Sequence, residues 1–230
     1  MTGKGRRPKG SVVLLSGGMD SATCLALASR RGGEVHALTV LYGQRHSREV
    51  RSARALAKHY RVAEHTVVRL PLGPLLVSSL TDPSRPIPHR RSSGRRIPTT
   101  YVPARNTILL AIALGYAESH RLGSIFLGAN AIDYSGYPDC RPEYFRAFER
   151  LARLATKAGV EQGLRVRVET PLLRLSKAEI VRLGERLRVP WELTWSCYAG
   201  SSMPCGRCDA CRLRQKGFAE AGRSDPVRSV

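Results

Sequence analysis

The chain has 230 residues and a formal net charge of +20, from 38 Lys+Arg against 18 Asp+Glu. No apolar run reaches the ~18 residues of a membrane-crossing helix, and the basic start, Met1 to Gly10, has no apolar h-region or cleavage site, which argues against a membrane span or a secretory signal. The expectation is a cytoplasmic protein with one sizeable core, or a domain plus a small appendage, and a disordered basic lead-in.

Charge of this size attracts polyanions such as ATP or tRNA. The basic residues, 32 of them Arg, are spread along the chain rather than gathered in one run, which favours a compositional bias over a dedicated RNA surface.

The first element is the apolar run Val12 to Leu15, which reads as a buried parallel strand. Ser16-Gly17-Gly18 follows it, and a helical pattern takes over at Asp20 and runs to Arg31. Ala22, Leu25, Ala26 and Ala28-Ser29 are expected to face the sheet, and Gly32-Gly33 ends the helix. Val35 to Leu41 is a second strand and Glu49 to Tyr60 a helix with apolar spacing at Val50, Ala53, Leu56 and Ala57. Ala63 to Val68 is a third strand. This alternation predicts a parallel sheet with right-handed crossovers.

Pro71 to Tyr101 breaks the pattern with six prolines and the basic pairs Arg90-Arg91 and Arg95-Arg96. So long a loop reads either as a mobile flap over a nucleotide site or as a solvated surface segment. An apolar helix, Thr107 to Ser119, comes next, then a fourth strand, Ser124 to Leu127. A polar and aromatic stretch, Gly128 to Arg141, follows that strand's carboxyl end, where open α/β sheets bind ligands. Pro142 to Lys157 reads as a helix with Phe145, Phe148, Leu151, Leu154 and Ala155 inward. Leu164 to Glu169 is a fifth strand, and Ser176 caps a helix carrying Ile180, Leu183 and Leu187. The tail from Gly222 reads as disordered.

Two stretches carry chemistry. In Ser16-Gly17-Gly18-Met19-Asp20-Ser21, a Gly-rich turn between strand and helix presents free backbone N–H groups and the positive end of the helix dipole, an anion site. No Gly-Lys-Ser/Thr follows, so it is not a Walker A loop. Near the C-terminus, Cys197, Cys205, Cys208 and Cys211 have the spacing of thiolates that converge on one tetrahedral centre. Four sulfur ligands suit structural Zn2+; an iron–sulfur cluster suits the chain less, because nothing else in it suggests redox work. Cys24 is expected in the core, and Cys140, which has no adjacent His or Lys, is expected to pack rather than react.

The Ser16–Ser21 stretch resembles the PP-loop of the ATP pyrophosphatases. Tyr42-Gly43-Gln44-Arg45-His46, Tyr101-Val-Pro-Ala-Arg-Asn106, Asp133-Tyr-Ser-Gly-Tyr-Pro-Asp-Cys-Arg141 and the four cysteines narrow this. Together they resemble the 7-cyano-7-deazaguanine synthase family of the queuosine pathway, from about Ser11 to Gly217. The Arg-rich insert between Thr81 and Arg96 and the basic termini depart from it.

The resemblance implies an adenine nucleotide α-hydrolase-like, Rossmann-like α/β fold with a small C-terminal zinc-binding subdomain. It implies domains at 1–10 (lead-in), 11–190 (ATP-binding, including the basic loop 71–101), 191–221 (zinc-binding) and 222–230 (tail). It implies a cytoplasmic ligase that uses ATP with Mg2+ and ammonia to turn 7-carboxy-7-deazaguanine into the nitrile, with one structural Zn2+ per chain. ATP would meet Leu15, Ser16, Gly17, Gly18, Met19, Asp20, Ser21, Ala22, Thr23, Cys24 and Leu25. Asp20 would contact Mg2+, and Arg105 and Lys177 would neutralise phosphate charge. Gln44, Arg45 and His46 would bind the substrate, as would Asp133, Tyr134, Ser135, Tyr137, Asp139 and Arg141. Within that loop Asp133 or Asp139 could accept the guanine-like N–H donors, and Tyr134 or Tyr137 could stack on the base. A homodimer and a weak, non-specific RNA contact complete the expectation.

Rival readings are a PP-loop tRNA-thiolating or lysidine-forming enzyme, a zinc-knuckle nucleic-acid module and a family relative turned to modifying a protein. Against the tRNA enzymes, 230 residues leave no room for a separate RNA-binding domain. Against the zinc module, it would leave the PP-loop without purpose.

Overall fold

The computed structural model describes residues 10–43, 48–82, 84–87, 97–130, 137–163 and 165–227. Five strands, β1 (Ser11–Leu14), β2 (Val35–Leu41), β3 (Glu64–Arg69), β4 (Ser124–Phe126) and β5 (Arg167–Glu169), form one parallel sheet in the order β3-β2-β1-β4-β5. The helices are α1 (Met19–Arg31), α2 (Arg48–His59), α3 (Arg105–Ser119), α4 (Pro142–Ala155), α5 (Lys157–Gln162), α6 (Lys177–Leu187) and α7 (Asp209–Glu220).

Side chains alternate across a strand, and β1 uses both faces. Val13, with Leu15 just beyond the strand, faces a core with α1, α2 and α6, while Val12 and Leu14 face a second core with α3 and α4. That is why the run is apolar without a break: neither face meets water. The strand order reverses at β1, between β2 and β4. The loops after β1 and β4 therefore splay apart and leave a crevice at the carboxyl ends of the strands.

Several expectations need correction. The helix predicted through Lys157 stops at Ala155, because Thr156 takes extended backbone and its hydroxyl caps α5 by accepting from Gly159 N at 3.0 Å. The inward stripe of α4 is Phe145, Phe148 and Ala152; Ala155 is exposed, and Leu151 and Leu154 are 52% and 80% exposed. Those two leucines fall on an adjacent face that no other element covers among the described residues. The fifth strand is shorter than predicted.

The proline-rich segment is not a free flap where it is described. Ser78, Ser79, Leu80 and Thr81 are buried, and Ser79 N donates to Thr99 O at 3.0 Å. The basic cluster Arg90–Arg96 lies outside the described residues. The C-terminal tail is also docked as far as it is described. Arg214, 5% exposed, donates to both carboxylate oxygens of Asp225 at 2.6 and 2.8 Å, to Thr194 Oγ1 at 2.7 Å and to Trp191 O. A bidentate, buried pair of this kind fixes geometry as well as adding energy.

Candidate active site

A cavity of about 240 Å3 opens at the switch point between β1 and β4. Leu15, Ser16, Gly18, Met19, Asp20 and Ser21 line one side. Ser16 Oγ lies 3.1 Å from Ser21 Oγ and accepts from Gly18 N at 3.3 Å, while Ser21 Oγ donates to Gly18 O at 3.0 Å. These bonds hold the loop in shape before any phosphate arrives.

Gly17 has φ +90°, and a Cβ there would lie 2.4 Å from Glu49 O and 2.8 Å from Ala53 N. The close approach that this glycine permits is therefore to the backbone of α2. Gly128 plays the matching part after β4, where a Cβ would come within 3.0 Å of the Asp20 and Ser21 backbone.

The PP-loop stretch does not act as one block. Ala22, Thr23, Cys24 and Leu25 turn into the core and do not reach the cavity. Burial pushes the Cys24 thiol far up, with the Asp20 carboxylate adding to it.

Asp20 and Lys177 meet across the cavity floor. Nζ of Lys177 donates to Oδ1 at 2.8 Å and Oδ2 at 2.6 Å, with the two side chains 18% and 8% exposed. Lys177 opens α6 immediately after Ser176, whose side chain and Glu179 form a reciprocal capping box. A Cβ at Gly217 would lie 2.7 Å from Lys177 Cβ, so α7 presses the lysine stem into place. Both carboxylate oxygens of Asp20 are taken by this pair, so a metal contact at Asp20 competes with Lys177.

Arg105, at the start of α3, lines the same cavity. Burial works against its charge, but Tyr42, Tyr137 and Tyr198 more than compensate, and the guanidinium stays firmly charged. Glu49, in the first turn of α2, also lines the cavity. Burial pushes its carboxyl up to about 7, against the opposing pull of Arg105. The sequence reading missed Glu49 as a site residue because an acid in the first turn of a helix reads as a dipole partner. The signal lay in its place, directly after the Tyr42–His46 stretch.

Tyr137 lines the cavity, 3% exposed, with its hydroxyl 2.9 Å from Thr100 Oγ1 and its ring 5.4 Å from that of Tyr101. Asp139 does not line it. Its Oδ2 accepts from Asn106 N at 3.0 Å, and Asn106 Nδ2 returns a bond to Asp139 O at 2.9 Å. The residue before α3, Ala104, has a left-handed backbone and no side chain that could cap the helix. Asp139 supplies that cap from 33 positions away. Arg141 is exposed ahead of α4 and also stays out of the cavity. Cys140 accepts from Asn106 Nδ2 at 3.3 Å, and burial pushes its thiol up to about 11, as a packing thiol would show. Gln44, Arg45, His46, Asp133, Tyr134 and Ser135 lie outside the described residues.

The C-terminal segment forms the remaining wall through Trp195, Ser196 and Tyr198. Trp195 N donates to Gly17 O at 2.9 Å, and the Arg48 guanidinium sits 4.6 Å from the Trp195 ring. Just beyond, the sulfurs of Cys197, Cys205, Cys208 and Cys211 all lie within 4.8 Å of one another. Cys197 Sγ accepts from Ala199 N at 3.4 Å and Cys205 N at 3.3 Å, and Cys205 Sγ from Cys208 N at 3.4 Å. Gly206 turns this knuckle with φ +67°. The Cys208 and Cys211 thiols and those N–H groups push Cys197 down, while Cys211, a donor to its neighbours, is pushed up. Four convergent sulfurs with N–H donors aimed at them could hold a metal ion and suit zinc.

The family model described as "Queuosine biosynthesis protein QueC" matches residues 10–222. The chain belongs to that family. It is 57% identical to a 7-cyano-7-deazaguanine synthase from Anaeromyxobacter sp. (strain Fw109-5), over 98% of each chain. It is 53% identical to one from Thermoplasma volcanium, over 96% of this chain and 91% of that one. In fold it is similar to the NMN synthetase of Francisella tularensis, with a TM-score of 0.51 at 19% identity, over 94% of this chain and 79% of that one. The QueC family is the one that the sequence motifs pointed to, and its fold is the parallel α/β sheet that they predicted.

Proposed function

We propose that this chain converts 7-carboxy-7-deazaguanine and ammonia to 7-cyano-7-deazaguanine, and that it cleaves ATP to AMP and pyrophosphate to do so. One observation carries the reading: a QueC-family chain places its PP-loop, Asp20–Lys177, Arg105 and Glu49 around one cavity.

A carboxylate resists attack by ammonia until one oxygen becomes a leaving group. The substrate carboxylate oxygen attacks the α-phosphorus of ATP, and pyrophosphate leaves into the N–H groups and hydroxyls of the Ser16–Ser21 loop. Ammonia adds to the acyl carbon, AMP leaves, a proton is lost, and the amide results. The amide oxygen attacks a second ATP and loses one proton as pyrophosphate departs. Loss of the remaining N–H proton and of AMP then gives the C≡N bond.

Glu49 is the base for these proton losses: it lines the cavity, and its carboxyl titrates near neutral pH. Arg105 meets phosphate charge, and Lys177 turns from Asp20 toward the incoming phosphates. Asp20, so released, would hold Mg2+, which when bound screens phosphate charge. Tyr137 offers its ring to the base. Zinc at the four cysteines, one per chain, would be structural, because four thiolates leave no open position.

No helix among the described residues is long and apolar enough to cross a membrane, and six cysteines outside any disulfide, four of them grouped as metal ligands, suit the reducing cytoplasm. The exposed Leu151, Leu154 and Val160 support a homodimer through α4 and α5. The charge supports a weak RNA contact that salt removes.

The test is to incubate the purified protein with ATP, Mg2+, ammonium and 7-carboxy-7-deazaguanine, without tRNA, and to follow products by mass. The nitrile with AMP and pyrophosphate is expected. ADP with phosphate, or a strict need for tRNA, would overturn the reading.

A further inference from the structure

The amino ends of the strands, opposite the active-site cavity, carry a second group of metal-ligating side chains. His36 on β2 and Glu64 on β3 are register partners, and His120 follows the C-terminus of α3. Glu64 Oε2 lies 3.8 Å from His36 Nδ1 and 3.7 Å from His120 Nε2, and one ligand atom from each residue falls within 4.8 Å of the others. These gaps are too long for hydrogen bonds. Two donors on one tetrahedral zinc stand about 3.4 Å apart, so the gaps are close to those that an ion would span.

The outer nitrogens of both rings have acceptors beside them. His120 Nδ1 lies 2.9 Å from Tyr116 O, a carbonyl that can only accept, so in the neutral ring Nδ1 carries the proton and a lone pair on Nε2 faces the Glu64 carboxylate. A divalent cation placed between that lone pair and the carboxylate would bind both. His36 is 5% exposed, and its Nε2 is buried without a hydrogen bond. The nearest acidic group to that nitrogen is Glu34 Oε1, at 3.2 Å. In the neutral tautomer protonated on Nε2, the lone pair on Nδ1 faces Tyr116 and Glu64. Nδ1 now meets the Tyr116 hydroxyl at 2.9 Å, a contact that an ion would replace. Metal-binding histidines carry the outer hydrogen bond that His120 makes to Tyr116 O, and the acceptor beside the outer nitrogen of His36 is Glu34. The Tyr116 ring stacks on His120 at 4.0 Å and holds its orientation.

We propose that His36, Glu64 and His120 form a second divalent-metal site, for a nitrogen- and oxygen-preferring ion of the zinc, cobalt or nickel class, with water in the fourth position. Two imidazoles and one carboxylate suit such ions better than Mg2+ or Ca2+, which prefer all-oxygen sets. Glu64 and His120 are half-exposed, so the ion enters from solvent. Once bound, it ties β2 and β3 to the C-terminal end of α3. That helix presents Arg105 to the active site about 22 Å away at its other end. The ion's effect is on rigidity, and it takes no part in the chemistry.

The experiment uses the full chain with the four-cysteine site already filled. Equilibrium dialysis against Zn2+ should load a second ion per chain and raise the melting temperature, and Glu64→Gln and His120→Ala should each abolish both effects. Added Co2+ should give a nitrogen/oxygen-type spectrum without the thiolate charge-transfer band of the cysteine site. That signature reads the second site in the unmutated protein. Uptake of a single ion by the unmutated chain, a second ion retained in both variants, or a thiolate band for the second ion would overturn the proposal. None of these readouts depends on the reaction proposed above.

Discussion

At the carboxyl ends of the strands, the working groups come largely from continuous stretches. Ser16–Ser21 is one loop, the four cysteines span 15 positions, and Arg105-Asn106 opens a helix. At the amino ends, His36, Glu64 and His120 come from three elements and no stretch of sequence contains two of them. A loop that must cradle phosphate with consecutive backbone N–H groups has to be contiguous, and so it leaves a motif. An ion held by side chains needs only three atoms at the right distances, and strand register supplies that without a local pattern. Sites built from one contiguous stretch, whether of backbone N–H groups or of cysteine sulfurs, are thus more legible than sites assembled from distant elements.

The largest effect should come from breaking the C-terminal support of the active-site end. Cys208→Ser should lose the metal and, because site formation is coupled to folding, loosen the segment that carries Trp195 and Tyr198. Trp195 N would then release Gly17 O, and turnover should fall to background. Metal content and product formation measured on one sample check this. Cys24→Ser should keep the metal.

Next is the buried pair on the cavity floor. Removing one partner of such a pair leaves an uncompensated charge and costs about 3–5 kcal/mol. Asp20→Asn and Lys177→Met should each lower stability by about that amount in denaturant unfolding. The double variant should recover part of it while remaining inactive. If Asp20→Asn unfolds like the unmutated chain, Asp20 serves the reaction alone and its pairing with Lys177 carries no stability.

Glu49 gives a smaller and more specific effect. The folded chain keeps the Glu49 proton up to about 7, against an ordinary value of 4.5. The folded state therefore binds more protons between those values, so Glu49's contribution to stability falls as pH rises through that window and is fully lost above about 7. Activity should move the opposite way, because the base form accumulates as pH rises through about 7. Glu49→Gln should lower turnover by about 10²–10⁴-fold, remove that limb of the pH–rate profile and flatten the stability slope. Retention of the limb would pass the base role to another group.

Much of the fold was legible because burial on both faces writes itself into the sequence, as the unbroken apolar run Val12–Leu15 at β1 and as largely apolar segments at β2 and β4. Capping chemistry gave α6 through Ser176, and the structure adds Glu179 as its reciprocal partner. Where local chemistry was ambiguous, the reading slipped. Leu151 and Leu154 have helical spacing, yet α4 turns Ala152 to the core instead. The tail after Gly222 has the composition of a free end, but Asp225 is held by Arg214, a partner 11 positions earlier that no periodicity marks. In the active site, Glu49 and the Tyr42/Tyr198 pair were missed as site residues for the same reason. Their roles exist only where α2, the loop after β2 and the C-terminal segment meet around Arg105.

Asp139 sharpens the comparison at the smallest scale. Sequence alone offered it as a reader of the base, in a stretch whose earlier members lie outside the described residues. Its Oδ2 instead accepts the backbone N–H of Asn106, and a first-turn N–H of a helix has no partner within the helix. Asp139→Ala should therefore cost about 0.5–2 kcal/mol, the range for losing an N-cap, with the loss seen in denaturant unfolding. Because α3 carries Arg105, KM for ATP should rise modestly. KM for 7-carboxy-7-deazaguanine should change no more than that. Asp139→Asn keeps an oxygen acceptor and should restore most of the stability. A large rise in KM for the carboxylate substrate alone, with stability unchanged, would return Asp139 to base recognition.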